Sequence, residues 1–183
     1  APAPGRLIHG QPPFSGFADV TFSDGVGGPA DGQRQPDGGA GALVGRQGDG
    51  AVVALDDENN VLTVTQYRYV FGRALLEIPA GKLEPGEDPV AGALRELKEE
   101  TGAVPDTFLP MGVTLPSPGC LSERLYLFLA KGLHMESQQL DEDEFLNVER
   151  IPFNEMVHRV MDGEIEDSKT IAAVLKAKVL LNL

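Results

Sequence analysis

The sequence predicts an α/β fold in which a mixed sheet lies between two helical layers, and three observations lead to it. Short β-rich runs alternate with stretches of helical periodicity from residue 50 onward. Strands mixed with helices in this way favour an α/β/α sandwich, with helices on either face of the sheet. Apolar residues make up 42% of the 183 residues, which supports one real core in a single domain.

The glycine and proline content of the chain falls sharply near residue 49. The first 50 residues hold 13 of the 22 glycines and 6 of the 14 prolines. Residues 17–22 are predicted to form a strand, whereas residues 24–41 are predicted to be loop. We therefore expect a Gly/Pro-rich, partly β segment at residues 1–49 and the main domain at residues 50–183.

Two β-rich runs, residues 51–55 and 61–67, open the main domain. The residues between them, Asp-Asp-Glu-Asn-Asn, are typical of a hairpin turn. A short strand at residues 74–78 is predicted to lead into a Gly/Pro/Glu loop at residues 82–88.

A helix is predicted to follow this loop. Asp88 can cap its first turn, and Pro89 suits the first helical position. Gly102 is expected to end the helix in the left-handed conformation. Apolar residues at four- and three-residue spacing give the helix a face for burial: Val90, Leu94 and Leu97.

The remaining predicted elements are two strands and two helices. Residues 109–115 and 124–130 are predicted strands on either side of a Ser-Pro-Gly turn. Residues 153–161 and 168–181 are predicted helices, of which Gly163 ends the first and Ser168 caps the second.

Charge and cysteine content restrict the partners and the compartment. The net charge of −13 argues against nucleic acid as a main partner, because a polyanion would be repelled. The single cysteine, Cys120, cannot form an internal disulfide, which fits a reducing cytoplasm. The sequence shows neither the apolar run of a signal peptide nor a stretch that approaches a membrane span. We therefore expect a cytoplasmic protein with no membrane partner.

Three carboxylates share one face of the predicted helix. Glu96, Glu99 and Glu100 are three and four positions apart or adjacent, so their side chains converge on one patch. Like charges packed together repel one another, and a hard divalent cation such as Mg²⁺ removes that conflict. A solvated acidic face is the alternative for a helix of this composition. The pattern points first to a metal site on a helix.

The segment from Gly81 to Ala103 resembles the Nudix box, the signature of hydrolases that cleave nucleoside diphosphates linked to another group. The spacing is Gly, five residues, Glu, seven residues, Arg-Glu, an apolar residue, one residue, Glu-Glu, one residue, Gly and a small apolar residue. These positions are filled by Gly81, Glu87, Arg95, Glu96, Leu97, Glu99, Glu100, Gly102 and Ala103. Ala103 is smaller than the aliphatic residue that the family usually has.

The resemblance implies a Nudix-type α/β/α sandwich and a set of metal ligands. Glu96, Glu99 and Glu100 would hold the metal together with the carbonyl of Ala80, the residue just before the box glycine. Glu99 and Glu100 are thereby also catalytic candidates.

Other box residues are implied to be structural. Arg95 would hold a box carboxylate by a salt bridge, and Glu87 would brace the loop. Gly81 and Gly102 would serve as backbone glycines at turns.

Further residues resemble the ADP-ribose pyrophosphatase branch of the family. Pro118 lies about 15 residues beyond the box, and Glu123 follows as a substrate-binding candidate. In this branch an acidic loop follows the strand that comes after this turn, and the acidic run at residues 140–145 takes that place here. Glu142 is therefore the candidate general base, and Glu144 an additional metal ligand.

A second group of branch-like residues precedes the box. The branch places an arginine at the diphosphate, a role that falls here on Arg68. Tyr67 is a candidate for stacking on the base, with ordinary packing in the sheet as the alternative.

These resemblances imply Mg²⁺-dependent hydrolysis of ADP-ribose, or of a related ADP-sugar, to AMP and a sugar phosphate, with Mn²⁺ as a substitute ion. The alternatives are hydrolysis of another nucleoside diphosphate derivative and a non-catalytic domain that senses ADP-ribose. The expected partner is a small nucleoside diphosphate sugar. Branch members use a small N-terminal β-domain for dimerisation, so residues 1–49 are expected to serve a homodimer.

Overall fold

The computed structural model describes residues 48–138 and 147–182, which form one mixed sheet and three helices. The strands are β1 (Asp49–Leu55), β2 (Asn60–Arg68), β3 (Arg73–Glu77), β4 (Ala80–Lys82), β5 (Ala103–Thr114), β6 (Leu125–Met135) and β7 (Asn147–Pro152). The helices are α1 (Pro89–Thr101), α2 (Phe153–Met161) and α3 (Ser168–Leu181).

The sheet is mixed, as the sequence predicts. Its strand order is β3-β2-β1-β6-β5, with β4 paired to β1 and β7 paired to β2. The pairing of β1 with β6 is parallel, whereas the other pairings are antiparallel. The predicted hairpin between the first two strands is confirmed where Leu55 pairs with Val61.

Strand β1 shows how the core is divided into two layers. Its side chains alternate between the two faces of the sheet. Val52 and Ala54 pack with Ala93 and Leu97 of α1. The other face of β1 packs against α2 and α3 in a second cluster that includes Ala51, Val53, Leu55, Met156, Val160, Ala173 and Val174. The fold is therefore the predicted α/β/α sandwich.

The helix boundaries follow local capping chemistry, with one correction. Helix α1 begins after Asp88, whose side chain accepts hydrogen bonds from the first-turn backbone at 2.9 and 3.0 Å. Helix α2 ends where predicted, because Gly163 follows the C-cap Asp162 in the left-handed conformation, with a φ of 79°. Helix α3 is capped by Asp167, not by Ser168, because the Asp167 carboxylate accepts the N–H of Thr170 at 3.0 Å.

Two strands were not predicted, and β5 begins and β6 ends well outside the predicted ranges. Strand β4 consists of Ala-Gly-Lys and was predicted as a turn and loop, because glycine usually marks a turn. Strand β7 was missed because its sequence, Asn-Val-Glu-Arg-Ile-Pro, is mostly polar. Strand β5 contains Pro105 and Pro110, which normally exclude a strand. They are accommodated because β5 lies at the edge of the sheet, with a register shift between Pro110 and Gly112.

Several predictions fall on residues outside the described ranges. These are the strand at residues 17–22, nearly all of the N-terminal segment and the acidic run at residues 140–145. Within residues 48–138 and 147–182, no helix is long and apolar enough to cross a membrane.

Candidate active site

The backbone around Gly81 forms strand β4, which pairs with β1. Strand β4 pairs with β1 so that Gly81 lies opposite Gly50 and Ala80 opposite Ala51. Gly50 also allows α1 to approach closely, because a Cβ there would lie only 2.6 Å from the Cβ of Ala93. Helix α1 therefore lies directly over the β1–β4 pair, with its carboxylates next to the box glycine.

Two of the predicted metal ligands meet this backbone. Glu100 is 4% exposed, and its Oε2 accepts the N–H of Ala80 at 3.0 Å. The Glu96 carboxylate lies against Gly81, where any Cβ would overlap it. The structure thus brings Glu96, Glu100, Ala80 and Gly81 together, and it explains the glycine by contact with Glu96 rather than by backbone conformation.

Arg95 connects the box carboxylates to one another. Its Nη1 donates to Oε1 of Glu96 and to Oε2 of Glu99, both at 2.9 Å. Its Nε and Nη2 donate to the two oxygens of Glu87 at 3.0 Å, and Nη2 also donates to the carbonyl of Lys82 at 3.1 Å. Hydrogen bonding to Glu87, and then to Glu96 and Glu99, outweighs burial and raises the pKa of Arg95. One permanently charged guanidinium therefore offsets the repulsion that the sequence implies.

Glu87 anchors the loop before α1 to this guanidinium. The hydrogen bonds from Arg95, together with one from the N–H of Glu84 at 2.8 Å, hold the pKa of Glu87 below its usual value. Gly92 of α1 leaves room for this arrangement, because a Cβ there would lie 2.8 Å from Oε2 of Glu87. The need for a small residue at Gly92 could not be inferred without knowing that the loop folds back onto the helix.

The donor atoms suit a hard divalent cation. Carboxylate oxygens from Glu96, Glu99 and Glu100, with the Ala80 carbonyl, are the ligand types that Mg²⁺ prefers. In the part of the chain that the structure describes, no three His, Cys, Asp or Glu side chains form a ready cluster for an ion. One oxygen each of Glu96 and Glu99 is bonded to Arg95. The donor set fits the ion chemically.

A buried ion network lies beside the site and was not predicted. Glu77 accepts hydrogen bonds from Nε and Nη2 of Arg68 at 2.7 and 2.5 Å, and it also pairs with Lys169. Burial alone would raise the pKa of Glu77, but the hydrogen bonds from Arg68 and the charge of Lys169 hold it below its usual value. The available signal lay at the start of α3, where the sequence predicts only a helix cap at Ser168.

The predicted substrate residues Arg68 and Tyr67 lie at the end of β2. The Arg68 side chain is 39% exposed while it binds Glu77. Tyr67 is 54% exposed, and its ring meets the ring of Tyr69 edge-on, with centroids 5.1 Å apart. Tyr69 is more exposed still, so neither ring is buried in the core of the fold.

The remaining site candidates are in two connections. Pro118 lies in the turn between β5 and β6, where the N–H groups of Cys120 and Leu121 donate to the carbonyl of Ser117. Glu123 is half-buried in the same connection. Glu142 and Glu144 lie outside the described residues. The structural role of Pro118 and the roles of Glu123, Glu142 and Glu144 toward substrate or metal stay predictions.

Comparisons with known proteins agree with the box. A family model described as NUDIX domain matches residues 46–174. The chain is 41% identical over 134 residues to a methanol dehydrogenase activator of Bacillus methanolicus, with 72% of each chain covered. It is 40% identical over 134 residues to an ADP-ribose pyrophosphatase of Bacillus subtilis, again with 72% of each covered. A crystal structure of an ADP compounds hydrolase shares the fold, with a TM-score of 0.65, 24% identity and 75% of each chain covered.

Proposed function

The chain belongs to the NUDIX domain family, and we propose that within it the protein hydrolyses the diphosphate bond of ADP-ribose, or of a related ADP-sugar, to AMP and a sugar phosphate. The Bacillus subtilis relative, named an ADP-ribose pyrophosphatase, supports this choice of substrate. The fold likeness to an ADP compounds hydrolase is consistent with it.

One observation carries the proposal more than any other. The carboxylates of Glu96 and Glu100 meet the Ala80–Gly81 backbone, and Arg95 binds Glu96 and Glu99 from the other side. A solvated acidic helix face does not require this arrangement, since exposed glutamates need neither a glycine beneath them nor a buried acceptor role. The geometry brings glutamate oxygens of α1 to the Ala80–Gly81 backbone, and cleavage of an inert phosphate ester with metal ions requires such anionic oxygen ligands.

We propose that Glu96, Glu99, Glu100 and the Ala80 carbonyl hold a divalent ion, with Mg²⁺ as the natural ion and Mn²⁺ as a substitute. Such an ion would neutralise charge on the diphosphate and lower the pKa of a bound water. Arg95 holds Glu96 and Glu99 close together, and its bidentate pair with Glu87 anchors the guanidinium to the loop before α1.

The substrate-facing roles are proposed from the sequence resemblance. Glu142 is the proposed general base and Glu144 a further metal ligand. Arg68 is proposed to bind the diphosphate, whose two charged oxygens suit a guanidinium fork. The exposed ring of Tyr67 supports its proposed role in stacking on the nucleobase. Glu123, held near the turn at Pro118, is proposed to contact the sugar or the phosphates.

We further propose that the protein acts as a cytoplasmic homodimer, with residues 1–49 contributing to the interface. The measurement is the mass of the full chain in solution by light scattering, compared with that of a chain beginning at residue 48. A dimer that persists unchanged without the segment would contradict its role in the interface.

The decisive experiment is product analysis with a single carboxylate changed. Purified protein is incubated with ADP-ribose, ADP-glucose or GDP-mannose in Mg²⁺, and nucleoside monophosphate release is followed. We expect AMP from ADP-ribose or ADP-glucose and none after Glu100→Gln, which keeps the shape of the side chain but removes its charge. The matched control is Glu155→Gln, at an exposed glutamate of α2 paired with Arg159.

The outcomes separate the possible functions. Near-normal rates for Glu100→Gln would contradict the metal assignment. A strong preference for GDP-mannose or for a nucleoside triphosphate would reject the choice of ADP-sugars. Tight binding of ADP-ribose with no AMP release by the unaltered protein would instead support a sensor domain.

A further inference from the structure

The four residues that lead into the box glycine are each held by another element of the fold. The Glu77 side chain pairs with Lys169, and the Ile78 N–H donates to Thr170 Oγ1 at 3.0 Å. The Pro79 carbonyl accepts the N–H of Val52 at 2.9 Å. The Ala80 N–H donates to Glu100 at 3.0 Å. Two of these four contacts come from the first turn of α3. That helix lies on the opposite face of the sheet from α1.

The hydroxyl of Thr170 has a fixed direction. Thr170 is completely buried, and its Oγ1 donates to Oδ2 of Asp167 at 2.6 Å. A hydroxyl has one proton, so with that proton on Asp167 the oxygen acts as the acceptor for Ile78. Asp167 in turn is fixed as the N-cap of α3, through the N–H of Thr170 at 3.0 Å. The order from Asp167 through Thr170 to Ile78 therefore permits only one arrangement of donors and acceptors.

Lys169, in the same turn of α3, binds the side chain of Glu77. It is 9% exposed and bonds both to Glu77 and, at 3.0 Å, to Oδ2 of Asp167. Residue 77 is thus held through its side chain and residue 78 through its backbone, by adjacent residues of one helix.

The position of Ile78 is transmitted to Ala80 through a stiff connection. Pro79 has a nearly fixed φ and no N–H, so the stretch from Ile78 to Ala80 has only two backbone donors. One donates to Thr170 and the other to Glu100. A shift at Ile78 would therefore move the Ala80 peptide, with both its carbonyl and its contact to Glu100.

We propose that Thr170, oriented by Asp167, is a positioning residue for metal binding. It holds the Ile78–Ala80 backbone so that the Ala80 carbonyl and the Glu100 carboxylate stay in register with the other glutamates of α1. This inference rests on the proposed function, because it takes Ala80 and Glu100 as metal ligands. Thr170 lies far outside the box in the sequence and on the other helical layer of the sandwich.

The test compares three variants of the full chain. Thr170→Val keeps the shape but removes the hydroxyl, and Thr170→Ser restores it. Thr63→Val is the matched control, because Thr63 is also completely buried and its hydroxyl bonds only a strand carbonyl, that of Glu149 at 3.3 Å. Binding of Mn²⁺ to the substrate-free protein is measured from the electron paramagnetic resonance signal of the free ion. Thermal melting without metal verifies that each variant is folded.

We expect Thr170→Val to weaken Mn²⁺ binding by about tenfold to a hundredfold, the usual range for a lost outer-shell partner. Thr170→Ser and Thr63→Val should both bind Mn²⁺ within about threefold of the unaltered protein, a change smaller than the lower end of that range. At saturating metal, Thr170→Val should recover most of its turnover with little change in KM for ADP-ribose. Equal binding by Thr170→Val and the unaltered protein would overturn the proposal, as would an equal loss in Thr63→Val or a failure of Thr170→Ser to restore binding.

Hydrogen exchange provides a second measurement that needs no variant. Coupling between two sites is reciprocal, so metal that depends on the Ile78–Thr170 bond must also stabilise that bond. Addition of Mg²⁺ should therefore slow exchange of the Ile78 amide, and an unchanged rate would overturn the proposal even if Thr170→Val fails to fold. If the unaltered protein neither binds metal nor cleaves any nucleotide sugar, the proposed function itself fails, which is a different outcome from intact metal binding in Thr170→Val.

Discussion

We expect Gly50→Ala to inactivate the enzyme, although Gly50 has no side chain that could take part in the reaction. A Cβ on Gly50 would lie 2.6 Å from the Cβ of Ala93 and 3.0 Å from its Cα. Carbon atoms in ordinary contact are about 3.5–4.0 Å apart, so α1 must move away from β1 by about 1 Å. The obstructing atoms belong to a helix backbone and to a methyl group, neither of which can rotate away.

This shift would carry the glutamates of α1 away from Ala80 together. A misplacement of about 1 Å can cost about 100-fold in rate, which corresponds to about 2.7 kcal/mol of transition-state stabilisation. Overpacking of this kind also lowers the free energy of unfolding by about 1–3 kcal/mol. The assay is AMP release from ADP-ribose at several Mg²⁺ concentrations, together with urea unfolding.

A second substitution at the partner position distinguishes the helix shift from general damage. Gly50→Ala combined with Ala93→Gly removes the closest collision, that between the two methyl groups, and leaves the 3.0 Å approach to the Cα of residue 93. The helix itself loses about 1 kcal/mol from the added glycine. We expect the double variant to regain part of the lost activity while remaining less stable than the unaltered protein. Near-normal activity of Gly50→Ala alone, or no recovery in the double variant, would refute the reasoning.

Three further predictions concern the residues that organise the site. Arg95→Lys should lower kcat/KM by about tenfold to a hundredfold in the AMP-release assay, because a lysine cannot span Glu87 and the helix glutamates at once; an unchanged rate would contradict the bridging role. Gly102→Ala should lower the free energy of unfolding by about 2–4 kcal/mol in urea titrations, since Gly102 has a φ of 74° and a Cβ would overlap the carbonyl of Glu136. The pKa of Glu87 is lower in the folded than in the unfolded protein, so its contribution to stability is present above the unfolded pKa of about 4.3 and is lost as the pH falls through the folded value. Glu87→Gln should therefore reduce the loss of stability that occurs in urea unfolding as the pH falls below about 4.3, and an unaltered dependence on acid pH would count against the lowered pKa.

Local chemistry made the helix and its charged face predictable. Asp88, Pro89 and Gly102 determine the ends of α1 through interactions within a few residues, so its bounds could be read from the sequence alone. The convergence of the glutamates follows from helix geometry in the same way. Arg95 could be assigned a salt bridge only by family resemblance, and its simultaneous bonds to three glutamates depend on how the loop folds back.

Contacts between distant parts of the chain could not be predicted. Gly50 and Ala93 approach each other only because β1 and α1 pack face to face, and nothing in the sequence around either residue indicates the partner. Glu77 and Lys169 are separated by 92 positions, and their pairing depends on where α3 begins relative to the end of β3. The first half of β5 was missed for a related reason: Pro105 argues against a central strand but is accommodated at an edge.

The two cations on Glu77 bear on the proposed substrate role of Arg68. A guanidinium has five N–H donors, and Arg68 directs two of them, one on Nε and one on Nη2, to Glu77. Its other donors could therefore meet diphosphate oxygens while both bonds to Glu77 are kept, at a side chain that is already partly open to solvent. Lys169 binds the same carboxylate, so the charge of Glu77 is offset by a second cation and Arg68 retains positive charge for a phosphate. An arginine that is paired with a buried glutamate is thus compatible with an arginine that binds phosphate.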